Sequence, residues 1–302
     1  MKSRLSVLAA AMLLPAALPA QVSSLSEPPL TLLSSDSLPA VASGSPVCAP
    51  LPAGAVAWWR AQTNTADTVG VNDLYLAETL PSSLDYMTGK VGIAFRFRGY
   101  LAPFSLTNYL GVPPSDELDV GAGAGLTIEG WINPSFTTRV QPLVEWNDGL
   151  GNIGAGLALD GSALEASLTD TNTSPARHVV FRSASGCLAS NVWHHVALTF
   201  DKGAGQATAY VDGVTVAQTN LGPLRPATQS WVYLGYRPSG TNSQASYVGG
   251  LDEMTLYNRA LTAAELQSIV AASSAGKCVP PPYPPVPPPA GVVGWWRAES
   301  NA

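Results

Sequence analysis

The chain has 302 residues, a charged fraction of 12% and a formal net charge of −6 at pH 7, with 28 glycines and 26 prolines. No stretch concentrates lysine and arginine, so a nucleic acid is not an expected partner. The length allows one or two domains, and the glycine and proline content favours turns and linkers over helices.

The first twenty residues have the pattern of a secretory signal peptide. Lys2 and Arg4 precede an apolar run at residues 5–14, and small residues at 17–20 form a cleavage pattern before Gln21. The alternative is an uncleaved membrane anchor, but the apolar run is shorter than the roughly 20 residues that span a bilayer. No later stretch is long and apolar enough to span a membrane. We therefore expect a protein that is secreted or held at the cell surface.

Two segments of biased composition surround a central region. Residues 21–52 are rich in serine, proline, leucine and alanine with almost no charge, which is typical of an irregular linker. Residues 279–289, VPPPYPPVPPP, favour polyproline II, a semi-rigid spacer with a rise of about 3.1 Å per residue. The region between them, residues 53–278, is the predicted domain.

The start of this domain recurs after the proline-rich spacer. AGAVAWWRAQTN begins at Ala53 and AGVVGWWRAESN begins at Ala290, a spacing of 237 residues. This spacing fits tandem copies of a whole domain rather than a solenoid repeat. We interpret residues 290–302 as the start of a truncated second copy. The alternative, a self-contained C-terminal tail, leaves two exposed tryptophans without explanation.

The clearest strands of the domain lie in residues 193–217. Val196, Leu198 and Phe200 alternate with other residues, which is the period of a strand with one buried face. Asp212-Gly213 then predicts a tight hairpin turn. Similar short runs predict further strands near residues 56–60, 94–97, 126–132, 141–146, 153–159, 163–168, 178–181, 231–236 and 251–257. Many short strands with turn signals favour an all-β fold of two antiparallel sheets, a β-sandwich.

One short helix is predicted near the C-terminal end, at residues 263–271. Thr262 and Glu265 have the spacing of a capping box, in which each satisfies a backbone N–H of the other.

Three blocks of the sequence resemble a known family. They are GLTIEGWINP from Gly125, WHHVALTFD from Trp193 followed by AYVDG, and YVGGLDEMTLYNRALTAAELQSI from Tyr247. Their content and order resemble the laminin-G-like jelly rolls of the concanavalin A-like lectin/glucanase superfamily over roughly residues 53–276. The resemblance implies a two-sheet antiparallel jelly roll with one short C-terminal helix. It carries much less information about function, because one fold hosts many sites.

Catalytic groups are not predicted. Some relatives on this fold hydrolyse glycans with clustered carboxylates, and the candidates here are Glu117 with Asp119 and Asp252 with Glu253. The first pair has no third carboxylate, and adjacent residues on a strand face opposite ways, so neither pair meets the two-carboxylate geometry of glycoside hydrolysis. The same alternation argues against a zinc site at His194-His195. We expect a protein that is not an enzyme.

Calcium is the cofactor that the resemblance implies, since laminin-G-like relatives often hold it through loop carboxylates and carbonyls. By resemblance, Asp252 is the first candidate ligand, and Asn147 with Asp148 come next. Calcium takes about six to eight oxygens, so several loops would have to converge. The alternative for Asp252 is a structural carboxylate that accepts backbone N–H groups. At Arg98 relatives carry a carboxylate, which argues against a site there.

Exposed aromatic rings are the usual sugar-binding device of such modules. Trp146 adjoins a loop and is the tryptophan expected to be exposed. Tyr100 and Tyr109 lie in an insertion, residues 100–112, that forms either a ligand surface or a packed loop. The tryptophans of predicted strands are expected in the core: Trp58, Trp131, Trp193 and Trp231.

Three cysteines follow the predicted signal peptide. Cys48 and Cys278 flank the domain, and because the ends of jelly rolls usually lie close together, this pair is a candidate disulfide that would join them. The alternative is that one of the two pairs in another domain or chain. Cys187 is expected to be free.

The combined interpretation is a secreted, non-catalytic binding or adhesion module. Its expected partner is a glycan, with calcium as the cofactor that the resemblance implies, or an extracellular or cell-surface protein; tandem copies would add avidity. One alternative is a structural or protein-interaction spacer of a large surface protein, which would show a sheet face without exposed aromatic and polar groups. Another is an accessory module of a glycoside hydrolase or sialidase.

Overall fold

The structure, a computed structural model, describes residues 47–77, 84–99, 109–238 and 245–281. The predicted signal peptide, nearly all of the first linker, Tyr100 and the predicted second copy lie outside these residues. Within the described part of the chain no helix is long and apolar enough to cross a membrane.

Seventeen strands and one α-helix make up the described part. The strands are β1 (Ala55–Trp59), β2 (Tyr75–Ala77), β3 (Tyr86–Thr88), β4 (Ile93–Arg98), β5 (Tyr109–Val112), β6 (Gly125–Pro134), β7 (Val140–Asn147), β8 (Ile153–Asp160), β9 (Ala163–Asp170), β10 (Arg177–Arg182), β11 (His194–Asp201), β12 (Gln206–Val211), β13 (Val214–Asn220), β14 (Trp231–Leu234), β15 (Tyr236–Arg237), β16 (Ala245–Ser246) and β17 (Val248–Tyr257). The helix is α1 (Ala263–Ala272), and short 3-10 turns occur at Val120–Ala122 and Ser273–Ala275.

The strands form two large antiparallel sheets. One has eight strands in the order β13-β12-β11-β6-β17-β4-β3, with β1 also paired to β17. The other has seven strands in the order β10-β9-β8-β7-β14-β5-β2. β15 and β16 form a small separate pair. The predicted antiparallel two-sheet sandwich with a single short helix is therefore confirmed.

The core lies between the two sheets and is built from alternate residues of the strands, except where β-bulges shift the register. Val196, Leu198 and Phe200 of β11 are fully buried in it, as their spacing predicts. Trp59 and Trp146 enter the same core from different sheets. Residues between the core positions therefore face outward, and the two outer faces of the sandwich are where binding groups can lie.

The helix α1 packs on the outer face of the eight-stranded sheet. Leu266 and Ile269 contact a second apolar cluster that includes Tyr257 and Leu261. The predicted capping box is present, because Glu265 N–H donates to Thr262 Oγ1 at 3.2 Å and Thr262 N–H donates to Glu265 Oε2 at 2.8 Å.

The two ends of the domain meet beside this helix. Cys48 and Cys278 form a disulfide bond, and Cys187 is a free cysteine. Ala49 bridges to Lys277 in parallel, with Ala49 N–H donating to Gly276 O at 2.9 Å and Cys278 N–H donating to Ala49 O at 2.7 Å.

Candidate functional site

The outer face of the seven-stranded sheet carries a continuous row of cross-strand neighbours. In register, the row contains Val180, Ser167, Gly156, Glu145, Tyr233, Gly111 and Tyr75, one residue from each strand. The residues on either side of this row, such as Val232 and Trp146, belong to the core. Since side chains alternate along a strand, the row faces away from the core.

Four aromatic rings gather on one half of this face, and we call them the aromatic cluster: Tyr109, Trp231, Tyr233 and Tyr236. Tyr109 stacks on Tyr236 with ring centroids 4.5 Å apart and an interplanar angle of 11°. Trp231 and Tyr233 stack at 6.1 Å and 22°, and Tyr109 lies 5.7 Å from Tyr233. Trp231 is 41% exposed. The cluster therefore offers a flat, accessible ring beside a rigid ring stack.

Glycines make room for these side chains on the sheet. A Cβ atom at Gly111 would lie 3.4 Å from Tyr233 Cδ1 and 3.6 Å from Trp231 Cε3, so the two rings lie over β5. A Cβ atom at Gly156 would lie only 2.8 Å from Glu145 Cβ. Because Gly111 and Gly156 have no side chains, the surface of the sheet is recessed beside Glu145 and the two rings.

The aromatic cluster borders a buried ion pair. Glu145 is only 1% exposed, and both of its oxygens accept from Arg237 Nε, at 3.2 and 3.0 Å. Asn147 Nδ2 also donates to Glu145 Oε1 at 3.0 Å. Burial raises the pKa of Glu145, and the neighbouring Arg237 opposes that rise. The pair links β7 to β15 and so helps to position Tyr236.

The other half of the face is polar. Thr169 Oγ1 lies 2.7 Å from His178 Nδ1 across β9 and β10, and both residues line a cavity of about 460 Å³ together with Asn152 and Ile153. Partial burial lowers the pKa of His178, which favours its neutral form at neutral pH. Hydroxyl, imidazole and aromatic groups thus share one sheet face.

The carboxylates of this face are held by arginines. Glu145 pairs with Arg237 at 3.0 Å, and Glu165 pairs with Arg182 at 2.6 Å. A glycoside-cleaving pair needs one carboxyl that can donate a proton and a second that can attack or activate water. Two carboxylates that are each engaged by a guanidinium do not have this arrangement.

The tryptophan expected at the surface is in the core, and this prediction is wrong. Trp146 is 0% exposed, and its Nε1 donates to Leu118 O at 3.2 Å. It occupies an inward position of β7, and the loop begins only after Asn147. Trp231, expected in the core, is instead an outward residue of β14, since Val232 and Leu234 take the inward positions.

Tyr109 lies in the seven-stranded sheet rather than in a loop. It is the first residue of β5, which pairs with both β14 and β2. Its ring belongs to the aromatic cluster. Four residues of this face were not predicted from the sequence: Tyr233, Tyr236, Glu145 and Arg237. Only the alternation of Trp231 with Tyr233 along WVYL signalled a shared face.

Asp252, the first calcium candidate, is a buried carboxyl on β17. Its Oδ2 accepts the Val91 N–H at 2.8 Å, which matches the structural alternative stated for this residue. Burial raises the pKa of Asp252 to about 8, so the group is mostly neutral at pH 7. Its other oxygen, Oδ1, is buried and has no hydrogen-bond partner among the described residues.

Asn147 and Asp148, the other calcium candidates, belong to the opposite sheet and close their own loop. Asn147 Oδ1 accepts from the N–H of Gly149 at 2.9 Å. Asp148 Oδ1 accepts from the N–H of Leu150 at 2.8 Å, and its Oδ2 accepts from Asn152 Nδ2 at 2.6 Å. Within the described ranges no three His, Cys, Asp or Glu side chains gather in a way that could hold a metal. Calcium binding stays a prediction of the resemblance.

The adjacent carboxyls Asp252 and Glu253 do not face opposite ways. A β-bulge between Asp252 and Thr255, with φ of 57° at Glu253, interrupts the alternation. Asp252 pairs across the sheet with Trp131, and Glu253 Oε2 accepts from Trp58 Nε1 at 2.9 Å on the same outer side. Both carboxyls are buried under the segments that cover this sheet.

Comparison with known proteins agrees with this fold. A laminin-G family model, described as the concanavalin A-like lectin/glucanases superfamily, matches residues 105–267, more than half of the chain. No curated protein matches the chain by sequence.

Solved structures with the same fold include binding domains of toxins and a domain of an extracellular enzyme. The binding domain of Paraclostridial Mosquitocidal Protein 1 has a TM-score of 0.56 and 15% identity, covering 72% of this chain and 52% of that one. Domain 4 of AbnA, a GH43 extracellular arabinanase from Geobacillus stearothermophilus, was solved in complex with arabinotriose. It has a TM-score of 0.52 and 16% identity, and the match covers 72% of this chain and 98% of that one. The binding domain of Botulinum Neurotoxin DC in complex with SialylT has a TM-score of 0.53 and 11% identity, and the match covers 72% of this chain and 51% of that one.

This chain spans about half the length of the toxin binding domains that it matches. At these identities the likeness concerns the fold alone. The sandwich topology and the family match lead to the same conclusion: the chain belongs to the concanavalin A-like lectin/glucanase superfamily.

Proposed function

We propose that this domain is a non-catalytic carbohydrate-binding module and that the aromatic cluster is its sugar-binding platform. The observation that carries the proposal is the exposed ring of Trp231 beside the stacked tyrosines. The C–H faces of a pyranose or furanose are apolar and pack on flat rings, while its hydroxyls need polar partners. His178, whose Nδ1 contacts Thr169 and which is exposed on the same face, supplies such a partner through its Nε2.

The structural neighbours support a binding role. Domain 4 of AbnA was solved with arabinotriose, and one toxin binding domain was solved in complex with SialylT. Because AbnA is a GH43 arabinanase, the first of these also favours the accessory-module version of the proposal. A purely structural spacer is the weaker interpretation, since it does not account for aromatic and polar groups on one sheet face.

The ion-paired state of Glu145 and Glu165 supports a module without catalysis. The proposal also places the domain outside the cytoplasm, because a disulfide between Cys48 and Cys278 persists in oxidising compartments and the first twenty residues have the pattern of a secretory signal peptide. The partner would be a glycan outside the cell or at its surface.

A glycan screen followed by calorimetry tests the platform. Trp231→Ala should weaken binding roughly tenfold to a hundredfold, the loss expected for truncating an aromatic anchor. Val214→Ala is the matched control, because Val214 is exposed on β13 of the other sheet. Equal affinity in Trp231→Ala and the parent chain, or no glycan bound by the folded chain, would refute the proposal.

Calcium dependence is a separate part of the proposal with its own test. Melting is compared with calcium and with a chelator, in the parent chain and in Asp252→Ala. A calcium-dependent rise in melting temperature that the variant loses would support a calcium site at Asp252. An unchanged melting temperature in the parent chain would remove calcium from the proposal and leave the aromatic cluster as it stands.

A further inference from the structure

A second cavity lies on the opposite side of the sandwich, on the outer face of the eight-stranded sheet. We call it the arginine cavity; its volume is about 640 Å³. Its described lining includes Met87, Thr88, Arg96, Arg98, Asn133 and Val248. Among the described residues, the lining includes two arginines and no carboxylate, in a chain whose net charge is −6.

The local sequence explains why the arginines face the cavity. In β4, Phe95 and Phe97 are buried and take the inward positions, so Arg96 and Arg98 project outward on the same face. On the neighbouring β17, a Cβ atom at Gly250 would lie 2.8 Å from Trp193 Cη2 and 2.9 Å from Met87 Sδ. Glycine at this position therefore allows Trp193 and Met87 to lie close against the strand beside the arginines.

One guanidinium of the cavity is only loosely paired. Arg98 Nε lies 2.6 Å from Asp85 Oδ2, whereas Arg96 Nε lies 3.8 Å from the same oxygen, which is beyond hydrogen-bond distance. In the part of the chain that the structure describes, Asp85 is the one carboxylate that pairs with these two arginines, which leaves one positive charge in excess. Arg96 is 49% exposed, and among the described residues its guanidinium donates no hydrogen bond. It is the group available to a ligand.

Neutral polar groups of the lining are also uncommitted. The side chains of Thr88, Asn133, Ser135 and Asn191 form no hydrogen bond with any residue that the structure describes, although Asn191 N–H donates to Pro134 O at 2.7 Å. This contrasts with the other sheet face, where Glu145, Arg237 and Asn147 bind one another. Free hydroxyl and amide groups around a cavity suit a ligand with several hydroxyls.

We propose that the arginine cavity binds a sugar that carries a carboxylate, with Arg96 holding the carboxylate. The guanidinium presents parallel N–H donors that match a planar carboxylate in two-point contact. The uncommitted polar side chains bind the hydroxyls, and Met87 and Val248 contact the apolar ring face. The volume lies within the roughly 300–1,000 Å³ range of small-ligand sites. This inference goes beyond the proposed function, because the cavity lies on the other sheet and selects a charged ligand.

The test is an NMR and calorimetric titration of the full chain with galacturonic acid and with sialyllactose, each against its uncharged counterpart, galactose and lactose. The acidic sugars should bind more tightly than the neutral ones. Arg96→Gln should weaken acidic-sugar binding roughly tenfold to a hundredfold, as expected when a hydrogen bond to a charged group is lost. Arg177→Gln makes the same charge change on β10 of the other sheet and should leave binding unchanged. Melting curves confirm that each variant is folded.

The outcomes separate this inference from the proposed function. Acidic-sugar binding that survives Trp231→Ala and is lost in Arg96→Gln supports the arginine cavity, whatever happens to neutral glycans. Binding that is lost in Trp231→Ala and kept in Arg96→Gln overturns the inference and leaves the aromatic cluster as the only sugar site. Equal losses in Arg96→Gln and Arg177→Gln would show a general charge effect and also overturn it. The inference would also be overturned if the folded parent chain bound neither galacturonic acid nor sialyllactose.

Discussion

A single buried carboxylate holds together several segments of the eight-stranded sheet. Glu129 Oε1 lies 2.8 Å from Lys277 Nζ, and its Oε2 lies 2.8 Å from His195 Nε2. Tyr257 Oη donates to the same carboxylate at 3.2 Å. Burial raises the pKa of Glu129, but Lys277 and His195 outweigh that effect, and the pKa is lowered to about 2. The carboxylate therefore stays ionised throughout the physiological range.

Replacing the lysine of this cluster should be costly. We expect Lys277→Met to lower the free energy of unfolding by about 3–5 kcal/mol, because it leaves the buried Glu129 charge without its closest cation. Denaturant unfolding measures the change. Lys202→Met is the control, since Lys202 is less buried and contacts only a backbone carbonyl, Gly121 O at 3.3 Å. A loss below about 1 kcal/mol in Lys277→Met would contradict this account.

The acid dependence of the same variant provides an independent check. Because the folded-state pKa of Glu129 lies below its usual 4.5, the stability that it contributes is present above pH 4.5 and is lost as the pH falls towards 2. In Lys277→Met that pKa should rise, so the fall in stability over this interval should shrink. If Lys277→Met does not change how the free energy of unfolding falls between pH 4.5 and 2, carboxyl groups other than Glu129 cause that fall.

At the scale of secondary-structure elements, glycine spacing shapes the face that carries the aromatic cluster. Gly156 of β8 lies opposite Glu145 of β7, and Gly111 of β5 lies opposite Tyr233 of β14. A large side chain on one strand thus faces a glycine on the next. Because the opposite residue is a glycine, the side chains of Glu145 and Tyr233 can lie flat against the neighbouring strand.

A methyl group at Gly156 should disturb this arrangement. Its Cβ would lie 2.8 Å from Glu145 Cβ, so we expect Gly156→Ala to cost about 1–3 kcal/mol, the usual penalty of overpacking, and to weaken the contact with Arg237. Thermal unfolding and sugar affinity would both be measured. In the control, Gly203→Ala, the new Cβ meets only Asp201 Oδ1 at 3.4 Å. If the two variants behave alike, the spacing of Gly156 has no structural role.

At the scale of the whole molecule, one covalent link joins the two ends of the domain. Cys48 and Cys278 are separated by 230 residues, and the bridge lies beside the Ala49–Lys277 contact and the Glu129 cluster. The disulfide and the buried ion cluster therefore secure the same region of the eight-stranded sheet.

Opening this link should lower stability without changing the fold. We expect Cys48→Ser to reduce the free energy of unfolding by about 2–5 kcal/mol, mainly because the unfolded chain regains the freedom that a long closed loop removes. The matched control is Cys187→Ser, which removes a free thiol. Urea unfolding measures the free energy of unfolding of both variants. If Cys48→Ser is as stable as Cys187→Ser, the Ala49–Lys277 bridge and the Glu129 ion cluster hold the two ends together without the disulfide.

Local signals of the sequence predicted the elements well and the site only in part. The alternation of Val196, Leu198 and Phe200 identified β11, and Thr262 with Glu265 identified the start of α1. The same reasoning placed Trp146 at the surface and Trp231 in the core, the reverse of what the structure shows. Along WVYL every residue is apolar or aromatic. The alternation therefore groups Trp231 with Tyr233 and Val232 with Leu234, but it does not show which of the two pairs faces the core.

The sequence by itself determined the strand periods, the turn at Asp212-Gly213, the helix cap and the family, because each depends on residues close together in the chain or on short ordered blocks. The tertiary structure alone decided what lies side by side. The packing of one sheet on the other turned Trp231 outward, and a bulge at Glu253 placed two neighbouring carboxyls on one side of a strand. The aromatic cluster and the arginine cavity both join residues from strands far apart in sequence, and only the register between those strands brings them together.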